Sequence, residues 1–322
     1  MTGMYPDQTR ITRNNVFIRT TVPDVVTLGQ RFRQQGYKSV RIGKIYHYDN
    51  PSSIGTSSAD DIFTWDYTIN PYGRDKDEEY KINTLKDRQY GGTLSWLAAE
   101  GSDEEQTDGI GATNTIAFLD EFAKSGENFF LAFGLYRPHV PFVAPKKYWD
   151  LYDKNEISLP VNNFFPPSAP QKANYFYELR KFTDIPNKGP ISDEKAKELI
   201  HAYYACVSYI DAQIGLILDE LKNQDLTNNT TVVLTSDHGF SLSEHGRWTK
   251  HNLFQYELKI PMIISSPKYK KNKISESFVE LVDLYATFCD LAGLETPDLS
   301  LIHISEPTRQ EAISYGVVCV KK

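Results

Sequence analysis

The stretch Thr231-Val232-Val233-Leu234-Thr235-Ser236-Asp237-His238-Gly239 decides the fold class. Its first five residues are β-branched or aliphatic, the composition of a buried strand. A carboxylate, an imidazole and a glycine follow directly. Upstream, Leu199, Tyr203, Cys206, Ile210, Ile214, Ile217 and Leu221 recur at intervals of three or four. That stripe predicts one long helix over residues 192–223, with Asp193 and Glu194 in its first turn to complement the helix dipole. A helix feeding a buried strand that ends in a polar motif is the repeating unit of an open α/β sheet. In such sheets ligands bind outside the carboxyl ends of the strands.

The same unit recurs on either side. Val25, Leu28 and Phe32 predict a helix over 24–35, stopped by Gly36 and followed by a strand over 37–42. Ile116, Leu119 and Phe122 predict a helix over 113–124, ended by Gly126 and followed by a strand over 129–133. A strand over 260–265 and a helix over 278–292 complete the series. The pattern predicts an α/β domain with a mostly parallel central sheet and helices on both faces. Two segments break it: an insertion at 50–108 and a proline- and aromatic-rich loop at 151–190. Loops this long in a compact domain tend to be functional or mobile. Trp65, Tyr67, Tyr72, Tyr80 and Tyr90 either stack on a sugar or phenyl ring or pin the insertion together.

Composition sets the outer bounds. The chain has 322 residues, 40% of them hydrophobic and 24% charged, a globular composition. At about 150 residues per domain, this is one large domain or two ordinary ones. Acidic residues outnumber basic ones by 42 to 35, giving a net charge of −7. No dense basic stripe favours nucleic acid, and the cluster Lys268 to Lys273 reads as a solvated loop. Cys206, Cys289 and Cys319 form neither a disulfide framework nor a metal pair. No apolar run is long enough to span a membrane.

Three polar motifs follow predicted strands. Asp237-His238-Gly239 suits a divalent metal, with a helix-capping Asp and a surface His as the alternative. In Arg137-Pro138-His139-Val140-Pro141-Phe142, two prolines hold His139 in a stiff, extended turn. That suits a catalytic or anion-binding His, or a purely structural turn. In Gly43-Lys44-Ile45-Tyr46-His47, Lys44 and His47 stand three apart at a strand end, where they bind an anion or simply face solvent. Ser243 to Asn252 then crowds His245, Arg247, Lys250 and His251 into one loop. Lys44, Lys250, His139 and His47 around an anion, with Asp237 holding a cation beside it, is a layout for hydrolysing a sulfate or phosphate ester. Asp237 and His238 alone are too few for a calcium shell of six to eight ligands. No nucleophile stands beside them. His201 reads as helix surface, and Cys206 and Cys289 as core.

With Leu281-Val282-Asp283-Leu284 through Leu291-Ala292-Gly293-Leu294, these motifs occur in an order that resembles type I sulfatases, in the branch of iduronate-2-sulfatase and choline-sulfatase. The resemblance covers about residues 1–297. It implies an alkaline-phosphatase-like α/β fold and a calcium-dependent sulfuric ester hydrolase. It also implies a formylglycine nucleophile made from Cys or Ser. Carried over motif by motif, it gives Asp237 and His238 to calcium and Lys44 and Lys250 to the sulfate oxygens. His139 would bind the sulfate or protonate the leaving alcohol, and His47 would hold the formylglycine hydrate. The implied substrate is a sulfated carbohydrate or small sulfate ester, and the implied location is secreted, periplasmic or lysosomal. A metallophosphoesterase of the alkaline phosphatase superfamily and a catalytically dead, sulfated-glycan-binding relative are the alternatives.

Met1-Thr2-Gly3-Met4-Tyr5-Pro6 resembles the tail of the family signature, so the nucleophile and the first strand with its paired Asp ligands are expected ahead of Met1. Leu299-Ser300-Leu301-Ile302-His303-Ile304-Ser305-Glu306-Pro307-Thr308-Arg309 matches a reading frame through a transposon-end sequencing adapter. Residues 299–322 are therefore expected to be a non-biological tail. Residues 1–298 are expected to form a partial catalytic domain, incomplete at both ends and inactive by itself.

Overall fold

The computed structural model describes residues 1–83, 94–173, 185–186, 189–269, 272–297 and 319–321. Helix α1 (Leu28–Gln34) leads into strand β1 (Lys38–Gly43). Strands β2 (Tyr67–Ile69) and β3 (Trp96–Ala99) follow, then helix α2 (Thr107–Ser125) and strands β4 (Phe129–Gly134) and β5 (Phe142–Pro145). The long helix α3 (Asp193–Asn223) precedes β6 (Thr230–Thr235), the short pair β7 (Ser241–Leu242) and β8 (Trp248–Thr249), and β9 (Met262–Ser265). Helix α4 (Asp283–Ala292) and strand β10 (Cys319–Lys321) end the described chain.

The main sheet has the order β2-β1-β4-β10-β6-β9. The registers give β2, β1, β4 and β6 one direction and β10 and β9 the other. Four of the six strands thus share one direction, as expected, while the pairings of β10 and β9 with their neighbours are antiparallel. Alternation sorts the two faces. Phe130, Ala132 and Val233 pack with Leu28, Phe32, Tyr285 and Phe288 from α1 and α4. Val40, Ile42, Phe129 and Leu131 pack with Leu119, Phe122, Ile217 and Leu221 from α2 and α3. Both faces are covered, so these strands read as continuous apolar runs. Farther along α3, Ala205, Cys206 and Tyr209 pack over the separate parallel pair β3–β5.

Local signals set several boundaries. The Ser192 hydroxyl accepts from the Lys195 N–H and caps α3. Gly126 and Gly293 end α2 and α4 in the left-handed region. Several expectations need correction. Helix α1 runs over Leu28–Gln34, not 24–35, and β9 begins at Met262. Helix α2 begins six residues earlier than its apolar stripe; in its first turns Gly109 and Gly111 lie in close contact with Asp103 and Phe133, which leaves no room for the side chains that would have extended the stripe. Helix α4 begins at Asp283, and Phe278 ahead of it is fully exposed. Strand β9 runs antiparallel. The 50–108 insertion supplies the edge strand β2, through the β-favouring run Tyr67-Thr68-Ile69.

Three residues of the segment set aside as a tail, Cys319–Lys321, form β10, antiparallel to both β4 and β6. The facing backbones of Phe129–Leu131 and Thr230–Val232 offer unpaired groups that an extended segment satisfies. His303, Tyr90 and part of the Lys268 to Lys273 cluster lie outside the described residues.

Candidate active site

The carboxyl ends of β1, β4 and β6 meet at one edge of the sheet. A cavity of about 710 Å³ opens there, and Lys44, His139, Asp237, His238 and Lys250 all line it. Five of the six expected site residues are therefore brought together from four loops. His47 is not among the lining residues; its Nε2 lies 3.2 Å from Asp49 Oδ1.

Lys44 is fixed by backbone contact. Gly43 sits in the left-handed region (φ 69°), and the Lys44 N–H donates to the Gly134 carbonyl at 2.7 Å. A Cβ on Gly134 would lie 1.7 Å from the Lys44 carbonyl oxygen, so only glycine fits. Below this turn, the buried Arg41 donates to the Gly43 carbonyl at 2.7 Å and pairs with Asp60 at 2.6 Å. Burial lowers the pKa of Lys44, and Lys250 adds to the effect while Asp237 opposes it.

His139 sits on a turn whose base is a buried ionic network. The Asp108 carboxylate accepts from the backbone N–H groups of Tyr136 (2.8 Å) and Arg137 (3.0 Å). Arg137 donates one guanidinium nitrogen to Asp75 (2.6 Å) and another to the Pro141 carbonyl (3.2 Å). Asp75 in turn accepts from the N–H and hydroxyl of Thr107. Burial pushes Asp108 up to about 6, against the pull of Arg137 and the two N–H groups. The His139 N–H donates to the Tyr136 carbonyl at 3.0 Å, so the expected extended segment is a closed turn. His139 Nδ1 lies 2.7 Å from the Val140 carbonyl. A carbonyl only accepts, so Nδ1 carries the proton and Nε2 keeps its lone pair. Burial, then Lys44 and Lys250, push this imidazole down to about 3, leaving it neutral.

Asp237 follows β6. Burial alone would raise its pKa, but His238, Lys44 and Lys250 outweigh that and hold it below the usual carboxylate range. Its side chain is 68% exposed because it faces the open cavity, though much of the protein surrounds it. His238 Nδ1 donates to the Gly239 carbonyl at 2.7 Å, and its Nε2 lies 3.6 Å from Asp237 Oδ2. Burial and the two lysines lower its pKa against the pull of Asp237.

The loop bearing Lys250 holds three non-glycine residues in the left-handed region: Ser243, His245 and Thr249. Glu257 supports it from behind. This buried carboxyl accepts from Asn252 Nδ2 at 2.8 Å and from the Ser241 hydroxyl, while its backbone carbonyl accepts from the Gly239 N–H at 2.8 Å.

A low-pKa carboxylate reached by solvent has the right donor chemistry for a divalent cation. Among the described residues, however, no group of three or more His, Cys, Asp or Glu side chains gathers at one point. Asp237 and His238 supply part of a calcium shell, not the six to eight ligands of a whole one.

The sulfatase family model matches residues 1–294. The chain belongs to the sulfatase family. This sulfatase chain is 33% identical over 314 residues to a sulfatase of Formosa agariphila, covering 92% of this chain and 59% of that protein. It is 29% identical over 331 residues to mouse iduronate 2-sulfatase, again 92% and 59%. To the choline-sulfatase of Rhizobium meliloti it is 26% identical over 314 residues, 93% and 58%. The chain thus spans about three fifths of the length of these relatives.

Among solved structures, the phosphonate monoester hydrolase of Silicibacter pomeroyi matches with a TM-score of 0.70 at 20% identity, over 92% of this chain and 63% of that one. A protein in complex with its substrate D-glucosamine-2-N,6-O-disulfate matches with a TM-score of 0.67 at 20% identity, over 92% and 66%. These likenesses establish the alkaline-phosphatase-like sulfatase fold.

Sequence reasoning missed the buried charged residues Arg41, Asp75, Asp108 and Glu257 behind the site, and Asp60, the half-buried partner of Arg41. One signal was available: Arg41 interrupts the apolar run Val40 to Ile42 in the middle of a strand. Other readings resolve simply. His201 Nε2 bonds the Trp149 carbonyl at 2.9 Å, and Cys206 and Cys289 are buried. Trp65 is buried and stacks on Phe130, so it pins the insertion, whereas Tyr67, Tyr72 and Tyr80 are exposed.

Proposed function

We propose that the protein carrying this sulfatase-family chain hydrolyses a sulfate ester of a sugar or small alcohol. The observation that carries this reading is the convergence of Lys44, Lys250 and His139 beside Asp237 in one cavity at the strand ends. The two ammonium groups hold the sulfate oxygens, and partial burial strengthens that attraction relative to open water. Before sulfate binds, burial and then the two lysines keep His139 neutral. A bound sulfate offsets their charge, so Nε2 can take up a proton and deliver it to the leaving alcohol oxygen. The Nδ1–H bond to Val140 holds the ring in place for that transfer.

Asp237 and His238 are proposed as two ligands of a calcium ion, which would offset charge on the sulfate oxygens when bound. A formylglycine residue outside this chain is the proposed nucleophile, with His47 near its hydrate. The names of the relatives support a sulfated carbohydrate or small sulfate ester as substrate. A secreted, periplasmic or lysosomal location is proposed with it. No described helix is long and apolar enough to cross a membrane.

The test is sulfate release, followed by ion chromatography, from 4-nitrophenyl sulfate and sulfated disaccharides by the protein produced from its uninterrupted reading frame. Lys250→Ala and Asp237→Asn should each lower turnover by about 100-fold or more. Phosphate release from a phosphate monoester without sulfate release would point to a metallophosphoesterase. Glycan binding without turnover would point to a non-catalytic relative.

A further inference from the structure

Besides its backbone bond, the turn that carries His139 is bridged from end to end by one side chain. Arg137 stands at its start, where Asp108 holds its backbone N–H, and its guanidinium reaches across to the Pro141 carbonyl at its end. Pro138, His139 and Val140 lie between these two anchors. The Val140 carbonyl that takes the Nδ1 proton of His139 therefore belongs to a loop whose two ends are tied to one residue. Asp75 fixes the guanidinium, and Asp75 is itself held by the first turn of α2 through Thr107. Arg137, Asp75 and Asp108 are all buried, so no solvent competes for these bonds.

We propose that Arg137 is a positioning residue for His139: by bridging Asp75 and the Pro141 carbonyl it sets the orientation of Val140, and so the tautomer and direction of the His139 ring. The planar guanidinium is required because it presents several N–H donors in a fixed fork. A lysine in its place can pair with Asp75 but cannot span to Pro141 with the same rigidity. The consequence for sulfate binding rests on the proposed function above; the effect on the tautomer does not.

The experiment uses the protein produced from its uninterrupted reading frame and labelled with 15N-histidine, with the His139 signals assigned through His139→Gln. The wild-type ring should show one neutral tautomer, protonated at Nδ1. Arg137→Lys should show both tautomers in exchange while its thermal midpoint stays within about 5 °C of wild type. A merely structural arginine would move the midpoint and leave the tautomer alone. Calorimetric titration with inorganic sulfate should show about tenfold weaker binding in the variant, the loss of one well-placed hydrogen bond.

A folded Arg137→Lys protein with an unchanged Nδ1–H tautomer overturns the proposal. Should Arg137→Lys not fold, the double variant Arg137→Gln/Asp75→Asn removes both buried charges together and is measured in its place. Failure of both to fold also overturns the proposal, because the residue then serves the fold as a whole. If wild type binds no sulfate, the sulfate reading fails, and the tautomer result still decides the role of Arg137.

Discussion

The turn after β4 and the loop over residues 243–252 that carries Lys250 both aim a nitrogen group at the same cavity, and they are stiffened by different means. The His139 turn takes its restraints from far along the chain. Arg137 reaches Asp108 across 29 residues and Asp75 across 62. The Lys250 loop takes its distant restraints through backbone carbonyls instead: the His245 N–H donates to the Asn162 carbonyl and Arg247 Nη1 to the Ala173 carbonyl, both at 2.6 Å, and the rest of its bonds are local. Ser243 N–H bonds Arg247, Arg247 N–H bonds Glu244, and Glu257 closes the loop from a few residues beyond. It also keeps three side-chain-bearing residues in left-handed backbone, each costing about 1–2 kcal/mol relative to glycine. One loop is fixed through buried ion pairs, the other through neutral hydrogen bonds to backbone carbonyls and a buried carboxyl, which hold it against its own backbone strain.

This contrast can be broken experimentally. Asp75→Ala leaves the Arg137 guanidinium buried without its carboxylate and should cost about 3–5 kcal/mol in urea unfolding. Glu257→Ala removes the acceptor of Asn252 and Ser241 and should cost about 2 kcal/mol by the same measurement. Its effect should be confined to the Lys250 loop, visible as faster amide exchange at residues 239–252 and not at 136–141. The smallest effect runs the other way. Ser243 has φ 86°. Ser243→Gly relieves that strain and should stabilise the protein by about 1 kcal/mol. Equal losses for Asp75→Ala and Glu257→Ala would erase the distinction between the two loops.

What was legible in the sequence follows the same division. Local signals were readable: the acidic first turn at Asp193 and Glu194, the Gly126 stop, and the stripe of α3 from Leu199 to Leu221. The strand-end motifs were readable too, because a polar cluster after an apolar run is a one-dimensional signal, and Lys44, His139, Asp237, His238 and Lys250 do share a cavity. Interactions between distant segments were not. Nothing in the surroundings of Asp75 or Asp108 says that each will meet Arg137. The stripe of α2 hid its first turn, where glycines and a buried acid replace apolar residues. The antiparallel direction of β9 depends on the route of its connection, which composition does not encode.

The contact of Gly43 and Gly134 limits how this site can diverge. Side chains cannot be added at either position without driving the ends of β1 and β4 apart. The spacing between the Lys44 ammonium and the imidazole beyond β4 is thus closed to gradual adjustment by mutation. Variation around this site has to arise instead at lining positions not locked by backbone contact, such as Val207 and Leu218, which line the same cavity and are exposed.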